Sequence, residues 1–190
     1  MYLFFDTETT GLPRTWKAPI TDTDNWPRMV QLAWMLYTPD GQLEESDHHI
    51  ICPEGYTIPR DVTALHGIST EMALEKGEDL GMILELFHAL VQEADVLVAH
   101  NMNFDERIIG AEYIRRNQQN PLDDKPKICT MESATPFCRL PGRYGYKWPK
   151  LSDLHYKLFH VPFEDAHNAA VDIAATARCF WELKRLGVIA

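Results

Sequence analysis

A mixed α/β fold, one sheet with helices packed on it, is predicted by three features of the chain. The first is an apolar N-terminal strand, Phe4-Phe5-Asp6-Thr7-Glu8-Thr9-Thr10-Gly11-Leu12, which carries two acids and breaks at a glycine. The second is the order of patterns: three strand-like segments, then helix, strand, helix, strand and helix. The third is the helical spacing of Leu80, Ile83, Leu84, Phe87, Leu90 and Val91. Strands that come first in a run and then alternate with helices fit a layered sheet better than a bundle or a sandwich.

Residues 2–8, about 29–38 and about 46–52 read as the first three strands, with Pro39-Asp40-Gly41 turning the chain after the second. Between the first two lies residues 12–27, where Pro13, Pro19 and Pro27 oppose regular structure. A helical region from about 61 to 93 is broken near Gly77. Asp95-Val96-Leu97-Val98-Ala99-His100 is a short buried strand, and Asn101 or Asn103 can cap the helix that follows to about Asn117. Ile128 and Cys129 mark another short strand. Helices near 150–158 and 168–186 close the chain. With no internal repeat, the expectation is one domain over 1–190, in which 12–27 is an irregular insertion.

At 190 residues the chain can bury a core without staples. Its four cysteines, Cys52, Cys129, Cys138 and Cys179, form no CxxC pair, so reduced thiols in the cytoplasm are expected and a zinc site is not. No apolar run approaches the ~20 residues of a membrane-crossing helix, and the first residues read as strand without a basic region or small-residue cleavage site, so export is not expected. The net charge of −10 argues against a protein that coats DNA through a broad basic surface. It leaves room for an enzyme that grips a few nucleotides through a local patch.

Four carboxylates carry the chemistry. Asp6 and Glu8 are two apart on a strand and so share a face. They are either a polar strand end with solvated acids or a pair that needs a cation between them, and oxygen donors suit Mg²⁺ or Mn²⁺. Asp105 falls in the first turn of a helix after a buried strand, where an acid favours the helix dipole and where α/β sheets place their ligands. Asp172 follows His167 by five residues, about 500° of helix, which leaves the two roughly 140° apart. They can meet over one site only if His167 precedes the helix. His167 is then either a mobile general base or an exposed loop histidine.

The segments Asp6-Thr7-Glu8-Thr9-Thr10-Gly11, His100-Asn101-Met102-Asn103-Phe104-Asp105 and His167-Asn168-Ala169-Ala170-Val171-Asp172 resemble the three motifs of the DnaQ-like DEDDh exonucleases, within the ribonuclease H-like superfamily. Residues 58–69 resemble a further family segment, and the resemblance spans residues 2 to about 183. Asn168 occupies the position where the tyrosine variant of the family has Tyr, so the histidine type is implied. The resemblance implies a ribonuclease H-like mixed five-stranded sheet flanked by helices, and a 3′→5′ exonuclease that releases nucleoside monophosphates with two Mg²⁺, Mn²⁺ substituting. It makes Asp6, Glu8, Asp105, His167 and Asp172 catalytic. Asp6 would bridge both ions, Glu8 and Asp172 complete the first, and Asp105 hold the second through water. His167 would take a proton from the attacking water.

Single-stranded DNA or RNA 3′ ends are the expected partners, with DNA repair or proofreading as the setting. RNA or oligoribonucleotide trimming is the alternative, and a catalytically silent nucleic-acid-binding module is a third class. The stretch Arg139 to Lys150 holds four basic residues and three aromatics without an acid. Arg143, Tyr146, Lys147 and Trp148 there suit phosphates and bases, or else form a solvated loop with its rings packed on the domain. The family implies that Leu12 and Ile68 press on terminal bases and that backbone near Thr9 meets the 3′-OH. His66 and His100 read as structural. The chain ends at Ala190 without the long tail of polymerase-associated subunits, so a freestanding enzyme is expected; a homodimer is compatible with the sequence.

Overall fold

The computed structural model describes residues 1–162 and 168–190. Its main sheet is built by β1 (Tyr2–Thr9), β2 (Met29–Tyr37), β3 (Leu43–Ile50), β4 (Val96–Ala99) and β5 (Lys127–Cys129), in the spatial order β3-β2-β1-β4-β5. The first three strands form an antiparallel meander, whereas β4 and β5 add in parallel to β1. This is the mixed five-stranded sheet expected from the sequence. The helices are α1 (Arg60–His66), α2 (Thr70–Lys76), α3 (Leu80–Glu93), α4 (Met102–Arg115), α5 (Thr130–Cys138), α6 (Leu151–Phe159) and α7 (Ala169–Arg185).

Alternation along β1 divides its side chains between two layers. Leu3 and Phe5 pack into one core with the apolar stripes of α3 and α4, including Leu84, Phe87, Ile108 and Ile109. Phe4 packs into the other with Ala33, Val98 and the buried residues of α5, α6 and α7. Ala169 and Ala177 of α7 are fully or almost fully buried there, which lets that helix lie close to the sheet.

Three local features differ from the expectation. The helical region 61–93 is three helices, because the chain also breaks at Gly67, whose φ of 79° caps α1. Ser69 then accepts a hydrogen bond from the Met72 N–H and starts α2. Asn101 precedes α4 as expected, yet it does so in a left-handed conformation with no side-chain cap bond; asparagine tolerates that region better than most residues. Finally, α5 forms although Pro136 lies inside it, with Met131, Ala134 and Cys138 buried. Packing overrides propensity there. The basic and aromatic stretch carries a small hairpin, β6 (Pro141–Gly142) and β7 (Gly145–Tyr146).

The irregular segment between β1 and β2 is tied down at many points. Asn25, buried, accepts from the Thr15 N–H at 2.8 Å and donates to the Thr15 carbonyl at 3.0 Å. Arg107 of α4 donates to the carbonyls of Trp16 and Ala18, and Arg115 to those of Thr23 and Trp26. Gly110 lets Ile20 come close, since a Cβ there would stand 2.9 Å from its terminal methyl.

Candidate active site

The cleft opens where β1 outruns its parallel neighbour. Pairing with β4 ends at Phe4–Val98, while pairing with β2 continues to Thr9. Asp6, Thr7 and Glu8 lie on that stretch. By the parity that puts Phe4 in the α7 layer, Asp6 and Glu8 point to the α7 side and Thr7 to the α4 side. The N-terminus of α7 is fixed by the Ala169 N–H donating to buried Gln31 on β2, and by the Asn168 side chain accepting from the Ala170 N–H. Asp172 in its first turn meets the pair: carboxylate oxygens of Asp6, Glu8 and Asp172 all lie within 4.8 Å of one another.

Asp105 arrives from the other layer. Its Oδ1 accepts from the Thr7 N–H at 3.0 Å and from the Thr7 hydroxyl at 2.8 Å. One of its oxygens is therefore engaged with β1, and Asp105 stands outside the group of three while lining the same cleft.

Crowding shows in the protonation of these acids. Burial, then the charges of Asp105, Asp172 and Glu8, raise Asp6 well above the ordinary carboxylate range. Burial and the charges of Asp172 and Asp105 raise Glu8 to about 7. Asp105 is also pushed to about 7, by burial first, against the lowering effect of its Thr7 bonds. Carboxylates crowded so closely that they raise one another's pKa fit a hard divalent cation, and Asp6, Glu8 and Asp172 are the residues that would hold it.

The cleft encloses about 700 Å³ and is lined by these four acids together with Leu12, Trp16, Phe104, Met131 and the run Trp148 to Ser152. His100 lies in its wall. Its Nε2 donates to the Pro149 carbonyl at 3.2 Å, which leaves Nδ1 to accept from the Thr130 hydroxyl at 2.9 Å. Burial lowers its pKa to about 4, so the ring is neutral near pH 7. The histidine read as structural thus ties the segment after Trp148 to the sheet.

The structure brings Asp6, Glu8, Asp105, Asp172, Leu12 and Trp148 to one cleft. The buried Thr9 hydroxyl donates to the Gly11 carbonyl at 2.7 Å and holds the turn after β1. Ile68 is 5% exposed, packed with Val30, Ile58 and Ala73, and is not among the cleft-lining residues. Arg143, Tyr146 and Lys147 are exposed on or beside the hairpin and do not line the cleft. His167 lies outside the described residues. Sequence reasoning missed Trp16 as a cleft residue; a lone aromatic in a proline-rich segment gives no period from which to place it.

Comparison with known proteins agrees with this arrangement. Residues 3–180 match the family model described as "RNase_T: Exonuclease". The PolC-type DNA polymerase III of Streptococcus agalactiae serotype III (strain NEM316) is 32% identical over 177 residues, which is 93% of this chain and 11% of the polymerase. A DNA polymerase III subunit epsilon-like protein of Rhodobacter capsulatus is 30% identical over 185 residues, 96% of this chain and 23% of that protein. Among solved structures, E. coli Exonuclease I in complex with a dA16 oligonucleotide matches with a TM-score of 0.75 at 19% identity, covering 97% of this chain and 40% of that one. The chain belongs to the RNase T exonuclease family, the DnaQ-like 3′→5′ exonucleases. It spans about a tenth to a quarter of the length of these two polymerase relatives. Among the described residues no helix is long and apolar enough to cross a membrane.

Proposed function

We propose that residues 1–190 form one exonuclease domain that hydrolyses phosphodiester bonds at the 3′ end of single-stranded DNA and releases nucleoside monophosphates. The observation that carries this reading is the convergence of Asp6, Glu8 and Asp172 within 4.8 Å, where burial and the neighbouring acids raise Asp6 and Glu8 above the ordinary carboxylate range. Two Mg²⁺ bound there would stabilise the attacking and leaving oxygens of an in-line displacement. Asp6, Glu8 and Asp172 would hold the cations, and Asp105, fixed by Thr7 in the same cleft, would hold the second through water. His167 accepts the proton of the attacking water. DNA repair or proofreading is the setting in keeping with relatives that include a PolC-type DNA polymerase III and E. coli Exonuclease I.

The test is digestion of 5′-labelled DNA and RNA strands of equal sequence with Mg²⁺. A descending ladder on DNA, faster than on RNA and absent for Asp6→Asn, is expected. A faster RNA ladder would replace repair with RNA 3′-end trimming, and intact strands in both Mg²⁺ and Mn²⁺ would leave a binding module. His167→Ala should lose ~10²–10⁴-fold in rate, the scale of a positioned general base, while calorimetry still shows Mn²⁺ binding. Full activity in that variant would remove the proton-accepting role.

A further inference from the structure

The cleft has an apolar side that the acids leave unexplained. Trp16 lines it and remains 45% exposed, although its ring packs against Phe104 with centroids 5.8 Å apart. Exposed indole surface is unfavourable in water, so an uncovered ring in a cleft calls for a partner. Its backbone is fixed on both sides. Asn25 bonds the Thr15 N–H and carbonyl, and Arg107 donates to the Trp16 carbonyl at 3.3 Å. A ring held this way loses little freedom when a ligand stacks on it.

Charge decides which part of a nucleic acid meets this wall. The cleft lining holds Asp6, Glu8, Asp105 and Asp172 against Lys150 as its one basic side chain among the described residues. Phosphates are repelled by such a lining except where cations intervene, whereas the uncharged faces of bases are not. Leu12, Trp16 and Phe104 form one apolar stretch of the wall, with Leu12 75% exposed, and Met131, Trp148 and Leu151 line the cleft as well.

We propose that Trp16 stacks against a base of the bound strand, which makes the 12–27 segment a substrate-binding element and unpaired strands the substrate class. The proposal rests on the exonuclease reading above. Stacking on an aromatic ring is tolerant of sequence, because every base offers a π face. A base inside a duplex is stacked on both faces and held by its pairing partner, so it cannot lie against this ring without unpairing.

The experiment compares the wild type with Trp16→Ala, Trp16→Leu and Trp16→Phe on a 5′-labelled DNA strand and on the same strand made abasic over its 3′-terminal nucleotides. Turnover is followed in Mg²⁺, and affinity by fluorescence polarisation in Ca²⁺. On the base-bearing strand, Trp16→Ala and Trp16→Leu should raise KM and Kd about tenfold, within the range of one lost base–aromatic stack, and Trp16→Phe should recover most of it. On the abasic strand, the wild type should fall to the level of the Leu variant. Leucine preserves apolar packing on Phe104, so it separates stacking from folding. Wild-type KM and Kd in the Leu variant, or an equal loss on both strands, would overturn the proposal. A wild type inactive on every strand would overturn the exonuclease reading instead, and the polarisation comparison would still decide the role of Trp16.

Discussion

At Asp105 the two bonds from Thr7 favour the ionised form against the burial that drives it toward neutrality. Thr7→Val keeps the backbone donor and removes the hydroxyl, so the carboxyl should rise above about 7. The acid limb of the rate–pH profile should then move to higher pH, with activity reduced more at pH 6 than at pH 8. A parallel loss at both pH values would show that the hydroxyl does not set this ionisation. The acids themselves were legible in the sequence because strand parity puts Asp6 and Glu8 on one face and the motifs order all four. The Thr7 bond was not, since it joins residues 98 positions apart. Ile68 shows the converse: its place in a motif-like segment suggested substrate contact, and it lies buried among Val30, Ile58 and Ala73.

At the scale of elements, the joint between the start of β2 and the end of α4 turns on Glu112. Its carboxylate is fully buried, accepts from the Arg28 Nε and the Met29 N–H at 2.9 Å, and pairs with Arg115 at 2.9 Å. Arg115 in turn holds the carbonyls of Thr23 and Trp26, so this one acid organises the end of the 12–27 segment. Glu112→Ala should cost about 3 kcal/mol, as breaking one side of a buried ion pair does, visible as a lower denaturant midpoint. A loss under ~1 kcal/mol, the scale of exposed pairs, would show that the arginines reach water without it. Patterns exposed strands and long helices well, because β1, β2 and α3 bury continuous apolar faces. They exposed Gly67, α5 and Glu112 poorly. The Gly67 break lies within seven residues of a helix start, Pro136 argues against α5, and an acid on a helix is ordinarily solvated.

Across the whole molecule the acidic cluster opposes the fold that assembles it. Glu8 and Asp105 titrate near 7 and Asp6 well above its ordinary value of 3.8 when folded, whereas in the unfolded chain all three ionise near pH 4. Between those limits the folded state binds more protons than the unfolded state, so stability falls as pH rises. His100, lowered to about 4 by burial, acts in the opposite sense below its ordinary 6.5, because acid charges it only in the unfolded chain. The carboxylate effect is therefore cleanest above pH 6.5. In EDTA the melting temperature should drop between pH 6.5 and pH 8.5, and Glu8→Gln should flatten that slope. Millimolar Mn²⁺ should restore the loss at pH 8.5, since a ligand at 100 times its Kd adds about 2.7 kcal/mol, and should restore less at pH 6.5, where protons compete for the same oxygens. A metal-free melting temperature that is level across this range and unmoved by Mn²⁺ would mean that Asp6, Glu8 and Asp172 do not form one electrostatic unit in solution.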